Sequence, residues 1–257
     1  SWDLRKIRQR GDEKLNGGLE EAVKIPEELH LDFEKIREEI KNIPQEVEHE
    51  VPQMSTFADF IYSSIKFSEA ASGNLARATK GNAWQVNQDN APAGHFNDAP
   101  FTYTINELSV RTAQSMPRYA RAFAWLNGDA TVTPTHLKTL LPYLLWHKVQ
   151  PTSKALVENP LYANDRIAFI KGLGDKIESD YTELTGNKNL LQTYAAALQV
   201  VRTGKIGEKE VKPAQVRTIV KNAIDKIGSE DKAYAINLAH HVASEYNSSV
   251  ANYHEKK

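Results

Sequence analysis

Apolar residues return every three or four positions along most of the chain, with polar and charged residues between them, and this period predicts α-helices. The first stripe is Leu29, Phe33, Ile36 and Ile40. Pro26 precedes it at a first helical position, and Glu27 and Glu28 stand where the helix dipole favours anions. Pro44 ends the stripe, and residues 45–50 read as an exposed acidic linker. A second helix is expected from about Thr56 to Ala78, with Phe57, Phe60, Ile61, Ile65 and Phe67 as its apolar residues. Residues 80–100 are rich in Gly, Asn, Asp and Pro and read as a long loop. Phe101, Tyr103 and Ile105 then alternate with polar residues, which predicts a short strand.

Helical period resumes at Ser109. Ala113, Pro117, Ala120, Phe123 and Ala124 share a face, Pro117 is expected to kink the helix, and Asn127-Gly128 supplies a stop. Thr133-Pro134 is an N-cap followed by a first helical residue, and Leu137, Leu140, Leu141, Leu144 and Leu145 give the next helix a broad apolar face. Four more helices are expected from about Pro151. The first three stop at Gly186, Gly204 and Gly228, and the last is capped by Ser229. The fold class predicted is all-α, with at most a small hairpin around residues 80–105.

Composition narrows the function. The 257 residues are 40% hydrophobic and 25% charged, and no apolar run approaches the roughly 18 residues of a membrane helix. The chain has no cysteine, which removes disulfides, zinc thiolates and cysteine nucleophiles. The absence of cysteine fits a reducing cytoplasm, which is the expected location. A net charge of −1 gives no global field for nucleic acid or an anionic membrane, so neither is expected as a partner. The chain opens on Ser1-Trp2-Asp3-Leu4 without an initiator methionine, which suggests a piece of a longer polypeptide.

Catalytic motifs are scarce. No P-loop, dinucleotide, zincin or nucleophile-elbow pattern occurs, and no catalytic residue is assigned. His240 and His241 are adjacent, so on a helix they diverge by about 100° and cannot readily clamp one metal. Glu245 and Tyr246 form no recognised triad with them. The loop from Asn87 to Asp98 lacks EF-hand spacing, and no metal site is predicted. Arg111, Arg118 and Arg121 fall on one side of the helix that begins at Ser109. Arg111 would sit in the first turn, where the dipole opposes a cation by a few tenths of a kcal/mol. Either an anion lies nearby or the arginine pairs with a surface carboxylate.

The stretch from Ser109 to Val149 resembles the C-terminal lid of MoxR-type AAA+ ATPases. Ser109 and Arg111 match that family's S-P-R, with Val110 in place of the proline. Arg118, Arg121, Gly128, Val132-Thr133-Pro134, Leu137, Leu140, Pro142, Leu145, His147 and Lys148 follow at matching positions without a gap. Val23 to Glu28 is similar to the family's approach to the lid. Pro117 departs from the pattern, where an aliphatic residue is usual.

The resemblance implies an AAA+ lid-like helical bundle. Residues 1–25 would be a helical lead-in from an ATPase core, and 26–150 the lid-like domain, with an insertion at about 44–104. Residues 151–257 would be a C-terminal helical extension. It further implies that Arg111 is the sensor-two residue reaching the phosphates of ATP, with Arg118 as a secondary phosphate contact. ATP, with Mg, would be held by a P-loop core outside this sequence, so the chain alone would not hydrolyse it. Partners would be that core, neighbouring subunits of a ring that is often hexameric, and a remodelled client protein. The competing expectation is a stand-alone helical adaptor that binds proteins without touching nucleotide.

Overall fold

The computed structural model describes residues 32–66, 99–105, 108–230 and 232–254. The expected lead-in at 1–25, the helix start at Pro26, the loop from Asn87 to Asp98 and the helix beyond Lys66 lie outside them. Two compact units divide at residue 42. The first contains α1 (Phe33–Asn42), where the Asp32 carboxylate accepts the Lys35 N–H at 3.0 Å and the pairs Glu34–Arg37 and Glu38–Lys41 lie one turn apart. None of its residues is buried.

The second unit, 43–257, is built on helices. It comprises β1 (Val47–Glu48), β2 (Val51–Pro52), α2 (Gln53–Lys66), α3 (Val110–Asn127), α4 (Pro134–Leu145), α5 (Ser153–Glu158), α6 (Arg166–Gly186), α7 (Lys188–Thr203), β3 (Lys205–Ile206), β4 (Lys209–Glu210), α8 (Pro213–Gly228) and α9 (Ala233–His254). The all-α expectation holds: the described residues contain nine α-helices and two minimal antiparallel hairpins.

Helix α2 is the hub. Almost every side chain along it is buried, from Met54 through Phe57, Phe60 and Ile61 to Ile65. A helix apolar on all sides must be surrounded, and α2 contacts α3 and α4 on one side and α6 and α9 on others. Its Phe57 and Phe60 rings pack on Tyr181 of α6 at 4.8 and 5.4 Å. The Tyr181 hydroxyl donates to Gln53 at the start of α2. Residues 44–104, expected as an insertion into the lid-like domain, thus supply the helix around which the second unit packs. Helices α7, α8 and α9 form a mutually packed trio. One continuous cluster of buried side chains runs from Val51 through Leu141 and Phe169 to Ala243.

Several local expectations change. Residues 45–50 are not a free linker. Gln45 and Glu46 pair with Val132 in the α3–α4 loop, and a tight β1–β2 turn follows at His49 (φ 52°) and Glu50 (φ 65°). The hairpin turn needs left-handed backbone at both central residues, and here two non-glycine residues supply it. The strand expected at Phe101–Ile105 is a 3-10 turn over Pro100–Tyr103, because Pro100 starts a helical turn, and it is followed by a single antiparallel bridge from Thr104 to Pro151. Helix α2 begins at Gln53, three residues before the expected start. Ser229 caps the end of α8 rather than the start of α9. A short helix, α5, and the β3–β4 hairpin add to the four C-terminal helices expected.

Candidate functional site

Local sequence explains the geometry of α3 and α4. The Ser109 hydroxyl accepts the Thr112 N–H at 3.2 Å as N-cap, and Gly128 closes α3 in left-handed conformation (φ 74°). Pro117 sits inside α3 without interrupting it. Thr133 caps α4. The His136 Nδ1 accepts the Thr133 N–H at 3.0 Å, so the ring proton is on Nε2 and faces the Asp129 carboxylate at 2.8 Å. This ties the loop to the first turn of α4. On its far side α4 meets α6, where Lys138 bridges Asp175 and Glu178 and Leu141 lies over Gly174. The Lys138 pKa is raised, chiefly by its hydrogen bond to Glu178.

The arginines share one side of α3 but not one environment. Arg111 is the second residue of the helix and is exposed. No acidic residue occupies the first turn, and among the described residues Arg111 pairs with no carboxylate. Arg118 is likewise exposed, two turns along. Arg121 is half-buried, and its Nε is enclosed without a hydrogen-bond partner. Among the described residues, the first turn of α3 carries no carboxylate, and it presents the guanidinium of Arg111 and the Val110 and Arg111 N–H groups, which have no partner within a helix. Its chemistry suits an anion. At 1.5 Å per residue, Arg118 starts about 10 Å from Arg111 along the axis.

Residues 106–166 match the family model of the AAA lid domain. The chain thus carries an AAA+ lid region. The match covers about a quarter of the sequence, takes in α3, α4, α5 and the Pro160–Ala163 turn, and ends on the first residue of α6. No curated protein and no solved structure matches the chain. The lid match contains the whole Ser109–Val149 stretch.

A second polar cluster, away from the lid, escaped the sequence reading. The Tyr194 hydroxyl of α7 lies 2.7 Å from His241 Nδ1 on α9. His241 Nε2 faces Glu245 at 3.6 Å, an ion-pair distance rather than a hydrogen bond. Glu245 reaches Arg202 at 3.4 Å, and Arg202 grips the Asp59 carboxylate with two bonds of 2.8 and 2.9 Å. The chain Tyr194–His241–Glu245–Arg202–Asp59 links α7, α9 and α2. Its outer members line a cavity of about 590 Å³ beside the β1–β2 turn.

Burial raises the Tyr194 pKa well above its ordinary value. His241 first, then Arg202, holds Glu245 down to about 2 against the opposing effect of burial. Burial would lower the Arg202 pKa, but the hydrogen bonds and charge of Asp59 more than offset it, and the net shift is upward. Neither Tyr194 nor Glu245 changes charge near neutrality. The expected divergence of His240 and His241 has a concrete form. His240 is buried apart from this chain, its pKa lowered to about 4 by burial. Glu245 lies one helical turn beyond His241, and that spacing was the available sequence signal. Among the described residues, no group of three His, Asp or Glu side chains converges on a metal position. No described helix is long and apolar enough to cross a membrane.

Proposed function

We propose that this chain is the lid and C-terminal helical portion of a MoxR-like AAA+ ATPase. It would couple nucleotide state in a P-loop core outside this sequence to remodelling or assembly of partner proteins within a ring. The observation that carries this reading is Arg111: an exposed, permanently charged guanidinium in the first turn of a capped helix, against the dipole and without a carboxylate partner among the described residues. The cationic character of that turn fits a phosphate oxygen pair, which a planar guanidinium matches. ATP, held with Mg by the core, would supply the phosphoryl chemistry. Arg111 would supply charge to its phosphates, and Arg118 a weaker, more distant contribution. Because α4 packs on α6 and on α2, tilting of the lid would carry the C-terminal helices with it.

Steady-state ATPase kinetics on the polypeptide that joins this chain to its core test the reading. Arg111→Ala should turn over about a hundredfold more slowly, the usual loss when one preorganised donor is removed. Stability should change by under about 1 kcal/mol, since an exposed arginine contributes little to folding. Arg118→Ala should lose less activity. Parent-like turnover by Arg111→Ala would sink the assignment and favour the nucleotide-free adaptor.

A further inference from the structure

We propose that the groove between α2 and α7 binds an extended peptide segment of a partner protein, with a lysine or arginine side chain of that segment seated at Glu50. The inference concerns the C-terminal helices and does not depend on the lid reading. Both helices pack on α9, yet they barely touch each other. The gap between them is a cavity of about 590 Å³, within the range of roughly 300–1,000 Å³ that ligand pockets occupy. It stays open because α7 turns Ala195 and Ala196 toward it, and neither side chain is long enough to reach across. Polar bridges hold its two ends. The Arg202 guanidinium meets Asp59 of α2 at one end, and Gln192 Nε2 donates to the His49 carbonyl of the β1–β2 turn at 3.1 Å at the other.

The dimensions select a chain rather than an ion. From Gln192 to Arg202 the lining runs about 15 Å along α7, which roughly five residues of extended backbone span. The floor is apolar, with Tyr194 and Leu198 both buried, and the rim is polar. The Gln199 side chain makes no hydrogen bond among the described residues, and Gln192 keeps its Oε1 free once its amide is used on His49. Seven positions apart on α7, the two glutamines offer donors and acceptors about 10 Å apart, a match for peptide groups roughly three residues apart on an extended strand.

Charge selects the side chain. One guanidinium, Arg202, already faces two carboxylates, Asp59 and Glu245. Glu48 lies 3.4 Å from His49, and Glu50, exposed at the groove, has no cationic partner among the described residues. Carboxylates therefore outnumber cations around a recess with an apolar floor, which concentrates the field and draws in a cation. The Gln192 bond fixes the turn, so Glu50 stays beside the groove. An acidic segment would be repelled from the same place.

The test follows the side-chain amide NMR signals of Gln192 and Gln199 in the 257-residue chain. The probes are two pools of blocked pentapeptides with mixed neutral flanks, one with lysine at the centre and one with glutamate. The lysine pool should shift both glutamine signals saturably at millimolar peptide, and the glutamate pool should not. Added salt should weaken the lysine response, because it screens charges near the surface. Glu50→Gln should lower the affinity about tenfold, the loss of one charge-assisted bond. Ala196→Leu, at an exposed position, should fill the groove and abolish the response with the thermal midpoint unchanged. If Ala196→Leu melts early, Glu50→Gln decides the matter. The absence of a saturable shift with the lysine pool, equal shifts from both pools, or parent-like affinity in Glu50→Gln overturns the proposal. Shifts that arise on raising the protein concentration without peptide identify a second copy of the chain as the occupant, and shifts with ATP and Mg identify a nucleotide; either result overturns it as well.

Discussion

Acid should remove a defined part of the stability at Glu245. The carboxyl titrates near 2 in the folded chain, against an ordinary value of 4.5. A folded-state pKa below the unfolded one adds stability that is complete above the unfolded value and is lost as pH falls through the folded one. The window therefore runs from about pH 4.5 down to about 2. At about 1.4 kcal/mol per pKa unit the full shift corresponds to about 3 kcal/mol. The 3.6 Å gap to His241 and a side chain 27% exposed argue for a smaller figure, about 2 kcal/mol. Urea unfolding at fixed ionic strength from pH 7 to 2.5, comparing the parent with Glu245→Gln, isolates the effect, since the other carboxylates titrate in both. The variant should be about 2 kcal/mol less stable at pH 7, and the gap should shrink steadily below pH 4.5. A gap that stays constant down to pH 3 would refute the assignment of the shift to Glu245.

Asp180 should behave oppositely: burial first, then Glu183, raises its pKa to about 6, so its charge costs stability above that pH. Asp180→Asn should therefore raise the thermal midpoint at pH 7 and lose that advantage near pH 4. Tyr194→Phe should cost about 1–3 kcal/mol in chemical denaturation, because it strands the buried His241 Nδ1. Leu141→Ala, at a side chain 1% exposed between α4 and α6, should cost about 2–5 kcal/mol and leave a single transition; two separate transitions would contradict a core shared by the lid and the C-terminal helices.

Much of the fold was legible because its punctuation is local. Ser109, Gly128, Thr133-Pro134 and Gly204 each mark a helix end with side-chain or backbone chemistry contained in a few residues, and the structure uses each as read. The β1–β2 hairpin carried no such mark. Its turn is His49-Glu50, where a glycine or asparagine would have announced left-handed backbone. Phe101 and Tyr103 alternate as strand residues do, but a 3-10 turn following Pro100 buries both. The central place of α2 was hidden because an all-round apolar helix has weak periodicity, and what surrounds it comes from distant sequence.

The candidate sites divide in the same way. Arg111 was visible from its offset to Ser109, a relation within one helical turn. The Tyr194–His241 and Asp59–Arg202 contacts span 47 and 143 positions, and no local pattern encodes them. Only the His241–Glu245 step, four residues apart on one helix, could have been read beforehand.

The central claim is that the start of α3 faces nucleotide phosphates. Amide hydrogen exchange at Val110, Arg111 and Thr112 reads that surface most directly, measured with and without ATP and Mg in the polypeptide that includes the P-loop core. Nucleotide should slow exchange at Val110 and Arg111, whose N–H groups have no partner within the helix, and Arg111→Ala should diminish the effect. Identical exchange with and without nucleotide, in a protein shown to have ATP bound, would contradict the account.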